Sequence, residues 1–477
     1  MAFLKLSTHT IKQSLSAHSS LALTTAALLY LICLTGTLSV FFEEFERWEQ
    51  PNIEEYLDYS PNQIQTAIQH FQERVSEQPK TLWIVLPTKA VPRMHVSGDG
   101  QEWFINADGS LSEPPLEAWT TMVTKLHMQL HLPEDIGFIL VGIMGVILCS
   151  LIFSGLLSHP NLFKDAFRWR LGRPTLAQVD LHNRLSIWAL PFFLMIAFTG
   201  AFIGLMGLFS VIAGTAFYDN DNHALLDAIY GGDPVISEAV PNLDFDNAFK
   251  ILKTTVPDAV PIYLAIQNIN TESQYFEIAA TLPERLIYSE IYRFRADGSL
   301  INHQRLSDGE AGRQIAYSVY RLHFGHYASF WVKLVYGLLG LALTIICASG
   351  INIWLARRKF ESVLNDLWVA VVWGLPLSLT VAALLSFYNW PPLRVFGITE
   401  TIVMVLALAM KKPFKTRGIL MALLVMSLLA VALTRTLHRL NEATPAIFPG
   451  VNASIVAIAF VLGIVLYRHI HLKVNAR

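Results

Sequence analysis

The sequence predicts an all-α polytopic membrane bundle of about eight transmembrane helices, with two outer α+β domains inserted in a duplicated helix-domain-helix unit. Three observations predict it. First, the 477 residues are 53% hydrophobic and only 15% charged, with a mean hydropathy of +0.43, a balance of polytopic membrane proteins. Second, eight apolar runs approach the ~20 residues that cross a bilayer as a helix. Third, the first half repeats. His18 opens an apolar run ending at Thr35-Gly36, and Leu181-His182 opens another ending at Thr199-Gly200. The histidine-to-glycine separation is 18 in both copies (36 − 18; 200 − 182). Ionisable residues in membrane helices are costly, so a repeated one is a functional candidate.

Residues 1–42 hold an N-terminal segment and the first span, about 19–42, read as an uncleaved signal anchor because an acidic stretch follows it. Residues 43–126 form the first outer domain. Ser60-Pro61-Asn62 starts a helix before Ile64, Ala67, Ile68 and Phe71. Two strands follow, at Met94-His95-Val96 and Trp103-Phe104-Ile105, separated by Gly98-Asp99-Gly100. Residues 127–209 carry the second span (about 134–158), a basic loop with Lys164, Arg168, Arg170, Arg173 and Arg184, and the third span (about 184–209). The basic loop belongs in the cytoplasm by the positive-inside rule.

Residues 210–322 form the second outer domain, with a helix capped by Asp244 or Asp246 and a strand at Ile291-Tyr292-Arg293-Phe294. Both domains contain the same five residues, Ala107-Asp108-Gly109-Ser110-Leu111 and Ala296-Asp297-Gly298-Ser299-Leu300. Asp-Gly favours a hairpin turn because glycine reaches positive φ without steric cost. The fourth span (about 328–356) lies in residues 323–360 and closes on Arg357-Arg358-Lys359. Residues 361–477 add four runs outside the repeat, about 366–387, 395–410, 418–434 and 451–467. This alternation puts both termini in the cytoplasm and the two large loops on the outer side.

The second and fourth spans also match. Leu126-His127 precedes Ser154-Gly155, and Leu322-His323 precedes Ser349-Gly350. Topology places His18 and His182 near the inner face, and His127, His131, His323 and His326 near the outer face. Neutral imidazoles facing each other in a helix bundle suit bis-histidine haem ligation for electron transfer. The expected ligands are His18 with His182 and His127 with His323, with His131 and His326 as alternates. Arg184 and Arg321, beside the histidines, are candidates for haem propionates. His131 precedes Pro133 and reads more simply as a helix-start residue, His159 as a loop residue, and His469 and His471 as part of a basic terminus.

The net charge of −2 speaks against nucleic acid as a partner. Cys33, Cys149 and Cys347 are scattered in apolar runs and read as small apolar residues. Nucleotide-binding and hydrolase motifs are not found, so an electron donor would be a quinone or a cytoplasmic reductase. Trp48, Trp83, Trp103 and Trp119 with Arg285, Arg293 and Arg295 would suit a bulky anionic chelate, but domain packing explains them more simply.

On these motifs the chain resembles the PepSY-associated transmembrane helix family. The carriers are His18 with Thr35-Gly36, Leu126-His127 with Ser154-Gly155, Leu181-His182 with Thr199-Gly200, Leu322-His323-Phe324-Gly325 with Ser349-Gly350, and the two Ala-Asp-Gly-Ser-Leu hairpins, over about residues 10–360. The resemblance implies periplasmic PepSY-like domains. It further implies kinship with the dihaem ferrisiderophore reductases of the inner membrane, which carry two haem b groups and reduce chelated ferric iron. The expected function is a haem-dependent ferric-chelate reductase acting on a ferric siderophore. The alternatives are a non-redox PepSY membrane protein serving as a binding or peptidase-inhibitory module, and a transporter component. The four C-terminal spans depart from the four-span form of those reductases.

Overall fold

The computed structural model describes residues 6–116, 118–159, 167, 174–236, 242–327, 330–358, 360–439 and 448–474. Lys164, Arg168, Arg170, Arg173 and Lys359, which set the topology from sequence, lie outside the described residues. In chain order the helices and strands are α1 (Thr8–Ser39), α2 (Phe42–Glu49), α3 (Pro61–Arg74), β1 (Thr81–Val85), β2 (Met94–Gly98), β3 (Gln101–Ile105), α4 (Trp119–Gln129) and α5 (Glu134–Ser158). Next come α6 (Pro174–Trp188), α7 (Leu190–Phe217), α8 (Asn222–Tyr230), α9 (Phe245–Thr255), β4 (Val260–Gln267), β5 (Tyr275–Thr281), β6 (Glu290–Arg295) and β7 (Leu300–His303). The chain closes with α10 (Ala311–Phe324), α11 (Phe330–Ala356), α12 (Val363–Ser386), α13 (Pro392–Met410), α14 (Pro413–Arg439) and α15 (Phe448–Val474).

Among the described residues eight helices are long and apolar enough to cross a membrane: α1, α5, α7, α11, α12, α13, α14 and α15. This matches the eight runs expected. The third differs in detail. Its single run is broken between Trp188 and Leu190. Pro191 sits at the break, where a proline supplies no N–H to the preceding turn. His182 therefore lies on the separate helix α6.

The chain divides into two compact units. One comprises residues 1–49, 117–205 and 328–477, and the other 50–116 and 206–327. In the first, α1 packs against α5 and α11, and α12 against α13 and α14. The C-terminal helices dock through polar bonds in the apolar interior. Trp119 Nε1 donates to the Leu379 carbonyl (2.8 Å), Trp48 Nε1 to Asn452 (2.9 Å) and Trp368 Nε1 to Asn352 (3.1 Å). Pro376 inside α12 leaves the Val372 carbonyl without its N–H partner. The Tyr30 hydroxyl of α1 donates to that carbonyl at 2.8 Å. Arg435, one residue past the apolar run at 418–434, is buried and donates to the Trp48 carbonyl at 3.0 Å. His469 bonds the Phe414 carbonyl at 3.1 Å and stacks on that ring.

The second unit is built on one antiparallel sheet of seven strands, ordered β3-β2-β1-β4-β5-β6-β7. The sequence separates two outer domains, each with its own strands; the structure joins them by pairing β1 with β4, from Thr81↔Gln267 to Val85↔Tyr263. Each strand would otherwise be an open edge with unpaired backbone groups. Helices α3 and α9 share a core with the sheet that includes Ile64, Phe71, Ile84, Phe245, Ile266 and Phe294. Both helices are capped as expected, Ser60 accepting from the Gln63 N–H and Asp244 from the Asn247 N–H.

The twin pentapeptides form the same turn. Gly109 and Gly298 take φ of 86° and 77°, and the Asp108 and Asp297 carboxylates accept from the Ser110 and Ser299 N–H groups at 2.9 and 2.8 Å. Each glycine lies against a helix, at Gln63 and Thr66 of α3 or at Asn247 of α9, with no room for a Cβ.

Candidate functional site

His18 is on α1 and its ring meets α5. Nδ1 lies 3.0 Å from the Leu151 carbonyl and 3.2 Å from Ser154 Oγ. A carbonyl only accepts, so Nδ1 carries the proton, which in the neutral ring leaves the lone pair on Nε2. Gly155 lets the ring approach: a Cβ there would be 3.3 Å from His18 Cε1. His182 repeats this on the other half. Its Nδ1 bonds Ser349 Oγ at 3.0 Å and the Ile346 carbonyl, and a Cβ on Gly350 would be 3.3 Å from its Cε1. Among the described residues both rings bond through Nδ1. The two imidazoles lie within electrostatic reach of each other.

His127 makes the same contact at the opposite end of α1. Carried by α4, its Nδ1 lies 2.9 Å from the Ile32 carbonyl, and its ring covers Gly36. Three seats therefore share one grammar: a carbonyl four residues before a glycine, and a hydroxyl residue one before it. They are Ile32-Thr35-Gly36, Leu151-Ser154-Gly155 and Ile346-Ser349-Gly350. The four-residue step puts carbonyl and glycine on one helical face. The sequence paired each histidine with a glycine of its own or the following helix by spacing alone. In the structure the Thr-Gly at the end of α1 seats His127, and the Ser-Gly at the end of α5 seats His18.

Helix α4 needs help to form. Its N-cap position is Ala118, whose side chain cannot accept a hydrogen bond. Glu49, at the end of α2, supplies the acceptor. One carboxylate oxygen takes the Trp119 N–H at 3.0 Å, and the other takes the Thr120 N–H at 3.0 Å and the Thr120 hydroxyl. Sequence reasoning missed this cap because it comes from 69 residues away (118 − 49).

The remaining candidates fall as follows. His131 has φ of 53° in the link between α4 and α5, and its Nε2 lies 2.9 Å from the Met122 carbonyl of α4. His159 Nε2 accepts from Asn183 at 3.4 Å. His323 lies on α10, edge-on to Phe324 with ring centres 5.9 Å apart, and Gly325 ends that helix at φ 72°. Arg321 donates to the carbonyls of Arg285, Ile287 and His326 at 2.7–2.9 Å, and the His326 ring lies 5.7 Å from that of Phe324. Arg184 stands over the Trp188 ring at 5.3 Å. Thr199 on α7 bonds its own helix at Met195.

The aromatic-and-basic set divides: Trp83, Arg285 and Arg295 are exposed, and the others pack. Trp48, Trp119 and Arg293 are buried, and Arg293 pairs with Glu277 at 2.9 Å. Cys33 and Cys347 meet at 4.0 Å between α1 and α11 as free thiols. One further group has ligand spacing, Glu290 with His303 and Asp308, whose atoms lie within 4.8 Å. The Glu290 oxygens already accept from the N–H groups of Ile291, Leu306 and Ser307 and from the Ser307 hydroxyl, at 2.6–3.3 Å. That carboxylate serves the β6–β7 corner and has little capacity left for a cation.

The donor set of His18 and His182 fits a haem iron: two neutral imidazoles, each with its distal nitrogen fixed by a carbonyl of the neighbouring helix. Comparisons with known proteins agree with the architecture. The model of the PepSY-associated TM region matches residues 15–357. The uncharacterized protein PA4219 of Pseudomonas aeruginosa is 30% identical over 250 residues, covering 49% of this chain and 63% of the relative, so the chain spans less than two thirds of that relative's length. The match takes in the helices that carry every seated histidine and both halves of the sheet, and the chain belongs to the family of the PepSY-associated TM region.

Proposed function

We propose that this multi-pass membrane protein is a b-type dihaem oxidoreductase of the bacterial inner membrane, passing electrons outward to a ferric chelate. One observation carries the reading: Nδ1 of His18, His127 and His182 is each bonded to a neighbouring helix with the ring over a glycine, at the Leu151 carbonyl, the Ile32 carbonyl and Ser349 Oγ. A histidine so fixed has one tautomer and one ring orientation, as metal-bound histidines require. A purely structural imidazole needs no such repetition at both ends of a helix. His18 and His182 would hold the inner haem. For the outer haem we take His127 and, from the repeat alone, His323, with His131 and His326 as alternates. Bound haem would supply one-electron transfer. The protein's own part is to hold the imidazoles neutral and exclude water from the bundle. A ferric siderophore in the periplasm is the acceptor class we favour, with a quinone or cytoplasmic reductase as donor; both rest on the resemblance.

The purified protein should give b-type bands in a reduced-minus-oxidised spectrum. Substituting His182→Ala should remove about one haem of two, and His131→Ala none. A correctly folded but colourless protein would overturn the redox reading in favour of a binding module.

A further inference from the structure

The C-terminal helices contain an acidic residue that the electron-transfer reading does not use. Glu400 lies eight residues into membrane helix α13 (400 − 392), about 12 Å along its axis. Its carboxyl group rests on Gly374 of α12, where a Cβ would come within 3.0 and 3.2 Å of the two oxygens. Ser378, one turn further along α12, is fully buried and donates its hydroxyl to Oε2 at 2.9 Å. The other oxygen, Oε1, is buried and has no hydrogen-bond partner among the described residues.

A carboxylate so placed would leave a buried negative charge with one neutral donor. Burying an unpaired charge costs far more than protonating it. A metal cation does not resolve the imbalance. The site offers two carboxylate oxygens and one hydroxyl, whereas hard cations take six or more oxygens. A proton on Oε1 does resolve it.

The charges on the neighbouring helices do not neutralise the group. Tyr30 of α1 lies within electrostatic reach, but its hydroxyl is spent on the Val372 carbonyl. On α12, Asp366 lies within reach of Lys411. On α14, Arg417 stands over Trp373 and Arg435 bonds the Trp48 carbonyl. On α4, which also touches α13, the ionisable groups are Lys125 and His127, and His127 is bonded to Ile32.

We propose that Glu400 and Ser378 form an intramembrane proton-binding site, with Glu400 neutral at rest and able to release its proton within the bilayer. The step makes or breaks one O–H bond at Oε1 and moves no electron. It requires no haem and stands or falls apart from the redox reading. Ser378 favours the charged form by donating to it, so it sets the pH at which the proton leaves.

The test uses full-length protein in lipid vesicles and dicyclohexylcarbodiimide, which adds to protonated carboxyls in apolar surroundings. Mass spectrometry should find the adduct on Glu400 at pH 7 and about tenfold less of it at pH 10. Ser378→Ala should move that decline to higher pH. Sodium should not protect. No adduct at any pH between 5 and 10 would overturn the proposal, and so would protection by sodium, which would mark a cation site.

Discussion

Gly36→Ala is the sharpest probe of the histidine seats. A Cβ at position 36 would stand 2.5 Å from Cε1 and 2.8 Å from Nδ1 of His127. Carbon atoms in good contact sit near 3.5 Å, so the ring must retreat by about 1 Å. The Nδ1 bond to the Ile32 carbonyl, now 2.9 Å, would stretch to roughly 3.9 Å and cease to be a hydrogen bond. Losing it costs about 1–3 kcal/mol, and overpacking adds a similar amount. At Gly155 and Gly350 the corresponding Cβ meets the ring at 3.3 Å, a few tenths of an ångström too close. Alanine should be nearly tolerated at those two positions. The assay is haem per polypeptide together with thermal unfolding of the detergent-solubilised protein. Gly36→Ala should lose one haem and unfold several degrees lower, and Gly350→Ala should do neither. Equal behaviour of the two variants would refute the idea that the glycines are seats for the rings.

Three other outcomes are expected. Glu49→Ala should uncap α4, costing about 1–2 kcal/mol, and should loosen the outer haem more than the inner in potentiometric titration. Tyr30→Phe should cost about 1 kcal/mol by leaving the Val372 carbonyl unsatisfied; in a Pro376→Ala background, where the helix regains that N–H, most of the cost should vanish, as a double-mutant cycle would read. Burial holds the His95 imidazole in the seven-stranded sheet down to about 4. Its folded state binds fewer protons than the unfolded chain, so sheet stability should fall as pH drops from about 6.5 toward 4, by no more than about 3 kcal/mol. The measurement is best made in Glu102→Gln, because burial raises that neighbouring carboxyl and gives it the opposite slope. His95→Phe should abolish the dependence.

The spans were legible because an apolar run of membrane length has few other uses. Local chemistry was legible too: Ser60 and Asp244 cap their helices, and both Asp-Gly turns close where the repeat put them. The histidines His18, His127 and His182 stood out by duplication. Their seats did not, because a helix carbonyl such as Ile32 or Leu151 has no signature in sequence. The pairing of β1 with β4 was hidden for a related reason. Thr81–Val85 is short, lacks strict alternation, and meets a partner about 180 residues away. Glu49 looked like one more acid in an acidic stretch, and only the fold reveals that Ala118 needed it.

The β1–β4 seam sets an order of events. When β1 leaves the ribosome, its partner strand is still unmade, and two membrane helices must be threaded before β4 emerges on the same side. Until then the outer edge of β1, with its free backbone groups, is available to any passing strand. The sheet can therefore finish only after insertion is well advanced, and a chain stalled between residues 116 and 260 would expose a sticky half-sheet for cellular quality control to remove.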